Sequence, residues 1–217
     1  KVIASMKKST SDLTIQYIKE HPYVQSCLKK GLINYSSLAR LIGKELGIVK
    51  KTSMEAILVA ARRYQMKLQK EHSNEKEIIE LLSRSEVEIR TKIVVFVLQK
   101  GIEFAKLLLI QQKIKEDHGT FYLVEGSDSY VVLLQKKHRN FVAKAFSTSV
   151  IKNQGGLALV NVKSSKDLEI TPGVLAFLAS LFSENGVNIV ESISCWCDDI
   201  FVIDEKDLTK VIGFLQF

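Results

Sequence analysis

The run Thr171-Pro172-Gly173-Val174-Leu175 sets a proline and a glycine directly ahead of Leu175, Leu178, Leu181 and Phe182, which are spaced for one face of a helix. That arrangement suits anion binding. A glycine lets the backbone come close to a ligand, and the N–H groups of a helix start point outward, toward a carboxylate or similar group. Pro172 fixes its own φ beside that start. The Asn185-Gly186 pair then stops the helix.

Other reactive residue types stand in patterns that carry less. Cys195 and Cys197 are two apart, so a strand would put both sulfurs on one face, but a zinc site needs further Cys or His ligands that the sequence does not supply nearby. We expect no metal there, and read the stretch as small strand residues ending in an acidic turn at Asp198 and Asp199. His21, His72, His118 and His138 stand singly at expected helix ends. No Gly-rich phosphate loop is present, Gly155-Gly156 being an isolated pair. The expectation is a chain with no catalytic residues and no cofactor.

The elements around the Pro-Gly turn follow a definite order. Leu157 to Lys163 alternates apolar and polar residues with the period of a strand, a helix follows the turn, two further alternating runs follow Asn185-Gly186, and a last helix starts near Lys206. In this frame Thr171 to Leu178, then Glu184-Asn185-Gly186-Val187-Asn188-Ile189, then Asp199 to Leu208 resemble the ACT family, small ferredoxin-like modules that bind amino acids and regulate enzymes or transcription. The last piece is most similar to the regulatory end of aspartokinases. The resemblance covers roughly a quarter of the chain and implies an amino-acid ligand held by Thr171, Pro172, Gly173, Val174 and Leu175, with Asn188 and Ile189 flanking it. It also implies a fourth strand after the last helix, which would come from a neighbouring segment, a second subunit or a tail.

The same order occurs upstream. Val87 to Leu98 alternates as a strand that begins exposed and ends buried; a helix follows with Phe104, Leu107, Leu108 and Ile114 on its core face. Phe121 to Val124 and Tyr130 to Leu134 flank a hairpin loop, and a short helix carries Phe141, Val142, Ala145 and Phe146. Ser149 to Lys152 reads as a fourth strand. This is a repeat of pattern with little residue identity, and it lacks the Pro-Gly signature, so we expect a diverged ACT-like module without a ligand role.

The N-terminal third differs in composition. Residues 1–77 hold 15 Lys and Arg against 7 Asp and Glu, a net of +8, whereas the remainder holds 16 against 17. A concentrated basic excess suits a nucleic-acid partner, the plain alternative being a solvated helical surface. Spacing predicts helices over Ser11 to Glu20, Tyr23 to Lys30, a third with Leu38, Leu41, Ile42 and Leu46 on one face, and a long fourth from Ser53 with Met54, Ile57, Leu58, Ala61, Tyr64 and Leu68. The last two resemble a helix-turn-helix. Lys50, Lys51, Arg62, Arg63 and Lys67 are the expected phosphate contacts on duplex DNA; docking on a biosynthetic enzyme such as an aspartokinase is the alternative use of this surface.

The expected fold class is therefore α+β: an all-helical domain at 1–72, a connecting helix or linker at 73–85, and two ferredoxin-like βαββαβ modules with antiparallel sheets at 86–153 and 154–217. The 217 residues, 46% hydrophobic and 25% charged, suit globular domains. No apolar run reaches the ~18 residues of a membrane helix, and the start lacks a signal-peptide core, so no membrane partner and a cytoplasmic location are expected. The three cysteines are expected reduced. Sheet edges left open by an incomplete module predict a homodimer or higher homo-oligomer.

Overall fold

The computed structural model describes residues 8–50, 52–70 and 74–217, and the chain divides into two compact units, Lys1–Ser73 and Asn74–Phe217. The first unit is helical: α1 Thr10–Glu20, α2 Pro22–Lys29, α3 Tyr35–Glu45 and α4 Met54–Leu68. Each start has a local cause. Ser9 and Asp12 form a capping box on α1, Pro22 opens α2, and the side chains of Asn34 and Ser53 accept from Ser37 N and Ala56 N. Ile18, Leu28, Ile42, Ile57 and Leu68 are fully buried in one core. On α3 the buried stripe is Leu38, Ala39, Ile42 and Gly43, so Leu41 and Leu46, expected inside, are partly exposed. Gly43 admits the close approach of Val49 and Met54 on this buried stripe.

The second unit is built on one six-stranded antiparallel sheet in the order β2-β3-β1-β4-β6-β5. Its strands are β1 Glu86–Gln99, β2 Phe121–Glu125, β3 Ser129–Gln135, β4 Val150–Lys163, β5 Ile189–Cys195 and β6 Asp198–Asp204. The helices are α5 Glu75–Ser83, α6 Phe104–Glu116, α7 Arg139–Ala145, α8 Val174–Glu184 and α9 Leu208–Phe214. Two βαββα halves are thus joined by the long strands β1 and β4, which pair antiparallel.

Each half is completed by the other. Val97 and Leu98 of β1 pair with Lys152 and Val150, so the run expected as a fourth strand of the first module is the beginning of β4. Reciprocally, Glu86 to Arg90 of β1 pair with Lys163 to Leu159, so the fourth strand of the second module comes from within the same chain rather than from a tail or a subunit. The ladder shifts register between Arg90 and Ile93, between Ile93 and Val95, and between Val97 and Leu98. Such bulges bend a strand and change which face its residues meet. Ile89 therefore packs with the second half's helices, while Val94, Phe96 and Leu98, of opposite parity, pack with α6 and α7.

Three cores result. Val160, Val174, Leu178, Phe182, Phe201 and Ile203 lie under α8 and α9. Ile78, Leu81 and Leu82 of α5 belong to the same core, so the helix expected as a connector is a packed layer of this unit. Phe96, Leu107, Ile114, Val132, Val142 and Phe146 form the second core. Leu107, Ile110 and Ile114 face the sheet at i, i+3, i+7, which leaves Phe104 and Leu108, expected inside, partly exposed; on α7 Val142 is the buried residue and Phe141, also expected inside, is partly exposed. On the opposite sheet face Ile93, Val95, Leu133, Leu157, Leu159, Ile200 and Val202 form the third core. Tyr122 of β2 and Ile193 of β5 pack on this same cluster although they belong to the two outermost strands.

Candidate ligand-binding site

The Thr171–Leu175 turn follows β4 and a short 3-10 turn at Lys166–Glu169. Thr171 is tied down by two bonds to Asp167 O, from its N–H at 3.0 Å and its hydroxyl at 2.8 Å. Gly173 adopts φ +98° and is the N-cap of α8, with no side chain capping the helix. The first hydrogen bond of α8 runs from Phe177 N–H to Gly173 O at 2.9 Å. The N–H groups of Val174, Leu175 and Ala176 precede it and have no acceptor within the helix. Val174 is buried in the core, whereas Pro172, Gly173 and Leu175 are exposed. Leu175, expected on the core face, is displaced from it by Val174, because Val174, Leu178 and Phe182 hold the i, i+4, i+8 stripe.

Helix α5 closes one side of this turn. Asn74 Nδ2 donates to Pro172 O at 3.3 Å, and a Cβ on Gly173 would lie 3.4 Å from Ile78 Cδ1. Between α5 and the turn lies a cleft of about 240 Å³ lined by Glu77, Glu80, Leu81 and Arg84 on one side and Ser165, Asp167 and Thr171 on the other. Arg84 is ion-paired with Glu80. The cleft thus joins carboxylates and a guanidinium to the Thr171 end of the turn. Sequence reasoning missed these α5 residues by treating 73–85 as a linker; the apolar spacing of Ile78, Leu81 and Leu82 was the available sign that the segment packs.

Asn188 and Ile189 lie elsewhere. β4 and β5 both pair antiparallel with β6 and so run parallel to each other, with α8 as the crossover between them. The turn stands where β4 ends, whereas Asn188 and Ile189 stand where β5 begins, beyond the far end of α8. Within one chain the two groups are not brought together.

The end of the sheet near the turn carries the cysteines. Cys195 ends β5, Trp196 and Cys197 make the hairpin turn, and Asp198 and Asp199 are strand residues, so the expected acidic turn is instead a tight hairpin. Trp196 holds φ +48° and is 72% exposed. Asp198 accepts from Asn161 Nδ2 at 2.7 Å. Asp199 is buried, and burial pushes its pKa up. Among the described residues no three His, Cys, Asp or Glu side chains are grouped to hold a metal ion. No helix among them is long and apolar enough to cross a membrane.

In the helical unit the segment between α3 and α4 spans 46–53, longer than the three or four residues of a helix-turn-helix. The guanidinium of Arg62 lies 5.2 Å from the centre of the Tyr35 ring, a cation–π contact. Arg63 and Lys67, one turn apart and exposed, share a flank of α4 that Arg62 does not; Lys50 is exposed in the turn before it. Lys51 lies outside the described residues.

No protein-family model and no curated protein matches the chain. Among solved structures it is similar to the aspartate kinase of Clostridium acetobutylicum, with TM-score 0.50 and 14% identity over 60% of this chain and 33% of that one. Similarity extends to the ligand-free regulatory subunit of aspartate kinase from Thermus thermophilus, with TM-score 0.46 and 14% identity over 59% of this chain and 91% of that one, and to aspartate kinase from Synechocystis, with TM-score 0.48 and 15% identity over 60% and 26%. The chain thus spans about a third of the Clostridium enzyme, at 33% coverage. At such identities the likeness is one of fold, and the fold is ACT-like.

Proposed function

We propose that this chain is a non-enzymatic regulator that senses a free amino acid at the Thr171–Leu175 turn. The observation that carries the reading is the uncapped start of α8 behind Gly173 at φ +98°, with backbone N–H groups that lack a helical acceptor ahead of the first helical bond. The ligand's carboxylate meets those N–H groups, and its ammonium meets the carboxylates of the adjoining cleft, Glu77, Glu80 and Asp167. Asn188 and Ile189 reach such a ligand only from a second copy, which would link binding to a homodimer. A thermal-shift screen against the twenty amino acids tests the reading: selective binding to the folded state raises the melting temperature by mass action. A flat response to all of them, at millimolar concentration, removes it.

For the helical unit we propose the output role, with duplex DNA as the partner that its basic excess favours. Docking on a biosynthetic enzyme is the alternative reading; mobility shifts on genomic fragments at low salt separate the two.

A further inference from the structure

The two halves of the α/β unit provide an internal comparison. Each long strand bends at a left-handed residue, Lys92 at φ +57° in β1 and Gly156 at φ +73° in β4, directly before the paired residues Ile93 and Leu157. Glycine takes that conformation freely, whereas a side chain makes it costly. The second half thus has the residue the backbone favours, and the first half keeps a lysine against the backbone's preference.

The environment of Lys92 gives that lysine a use. β3 pairs with β1 only from Ile93 opposite Gln135 onward, so the edge of β1 before that point faces a cleft. The cleft has a volume of about 790 Å³ and is lined by Ile89, Arg90, Thr91 and Lys92 of β1 and by Gln135, Lys136 and Lys137. It lies within the size range of small-molecule sites. Four of these seven residues are cationic and none is acidic. Two are compensated from outside: Arg90 Nη2 is 3.6 Å from Glu88, and Lys137 Nζ is 2.5 Å from Asp117. Lys92 and Lys136 have no such ion pair among the described residues.

The charge is not imposed by the fold. After β3 the chain makes a 3-10 turn, Lys136–His138, into α7; after β6 it makes the same turn, Glu205–Asp207, into α9. Lys136 is matched by Glu205 in that equivalent turn, so this geometry accepts an acid at the position. A lysine at a strained bend and a second lysine where an acid is tolerated converge on one concave surface, and strain of this kind is concentrated at functional sites.

We propose that this cleft is a binding site for a small phosphate-bearing polyanion of the nucleoside-polyphosphate class, held by Lys92, Lys136 and Arg90 and independent of the Thr171–Leu175 turn. The cations gather in one patch of the lining, which favours a small molecule over a nucleic-acid backbone, since a backbone would be tracked by an extended stripe of cations.

Isothermal titration of the full chain with ATP and with inorganic tripolyphosphate at low salt tests this. Expected is binding of both probes that weakens steeply with added salt. Lys92→Gly keeps or raises the melting temperature, because glycine suits the bend, and weakens binding about tenfold, as does Lys136→Glu. Competition by short duplex DNA equal to that by ATP would instead mark a nucleic-acid groove and overturn the small-molecule assignment. Failure of the parent to bind either probe, or unchanged affinity in both folded variants, overturns the site.

Discussion

Gly173 and Ile78 stand face to face: a Cβ on the glycine would lie 3.4 Å from Ile78 Cδ1, just at van der Waals contact. Two separate constraints therefore act on this residue, its left-handed φ of +98° and the proximity of α5. Gly173→Ala is expected to cost about 1–2 kcal/mol, mainly from the conformation. Ile78→Val shortens the neighbour at a cost of roughly 0.5–1.5 kcal/mol. If φ alone matters, the two changes add in denaturant unfolding; if contact matters, the double variant is more stable than the sum. For the ligand reading, Gly173→Val should abolish amino-acid binding in a chain that still folds, and undiminished binding would place the ligand elsewhere.

Asp199 gives a pH signature. Burial is the largest cause raising its pKa, Asp198 adds to it, and Ser194, opposite it in the ladder, pulls it down. The folded chain thus holds a proton that the unfolded chain, with a carboxyl near 3.9, releases. Stability from this group is complete below the unfolded value and is lost as pH rises through the raised native value. Asp199→Asn removes the ionisation at nearly constant shape. Its melting temperature should exceed the parent's near neutral pH, with the gain vanishing toward about pH 4. Parallel curves for the two proteins would show that the carboxylate is satisfied in solution.

Much of this architecture is legible in the chain. The caps at Ser9, Asn34 and Ser53 and the repeated strand-helix-strand-strand-helix order follow from local chemistry and period. The bends are not legible, because Val87 to Val97 keeps strand-forming residues at every second position while the strand bulges at Lys92 and shifts phase. A bulge is a property of two paired strands, and its sequence mark, a glycine, is present in β4 but absent in β1. The core role of α5 was hidden for a related reason: its apolar spacing shows that it packs, but not against what. The separation of Asn188 from Gly173 follows from the parallel course of β4 and β5, a tertiary fact.

His138 and Gly119 form a tight corner in the first half. A Cβ on Gly119 would come within 2.7 Å of Ile114 Cγ2, 2.8 Å of His138 Nε2 and 2.9 Å of Ile114 O. The last is backbone and cannot rotate away, so Gly119→Ala is expected to destabilise by about 1–3 kcal/mol. Burial and Lys137 hold the His138 pKa below its ordinary value despite Asp117 3.3 Å away. A depressed native value means that the stability from neutral His138 is present above about pH 6.5 and is lost as pH falls. His138→Leu should flatten that limb of the stability curve; a limb unchanged in the variant would assign it to another group.

The basic flank of α4 makes the last prediction. Arg62 is held over the Tyr35 ring, whereas Arg63 and Lys67 project from a separate flank. If this unit meets duplex DNA through phosphates, Arg63→Ala and Lys67→Ala should each reduce the slope of log affinity against log salt by about one. Arg62→Ala should instead show its main effect as a loss of stability of about 0.5–1 kcal/mol, through the lost ring contact. A mobility-shift series from low to physiological salt, read beside thermal melts, separates the two outcomes. Absence of any retardation at low salt would move the output role of this unit to protein docking, and the same three variants would then be scored for capture of an aspartate kinase.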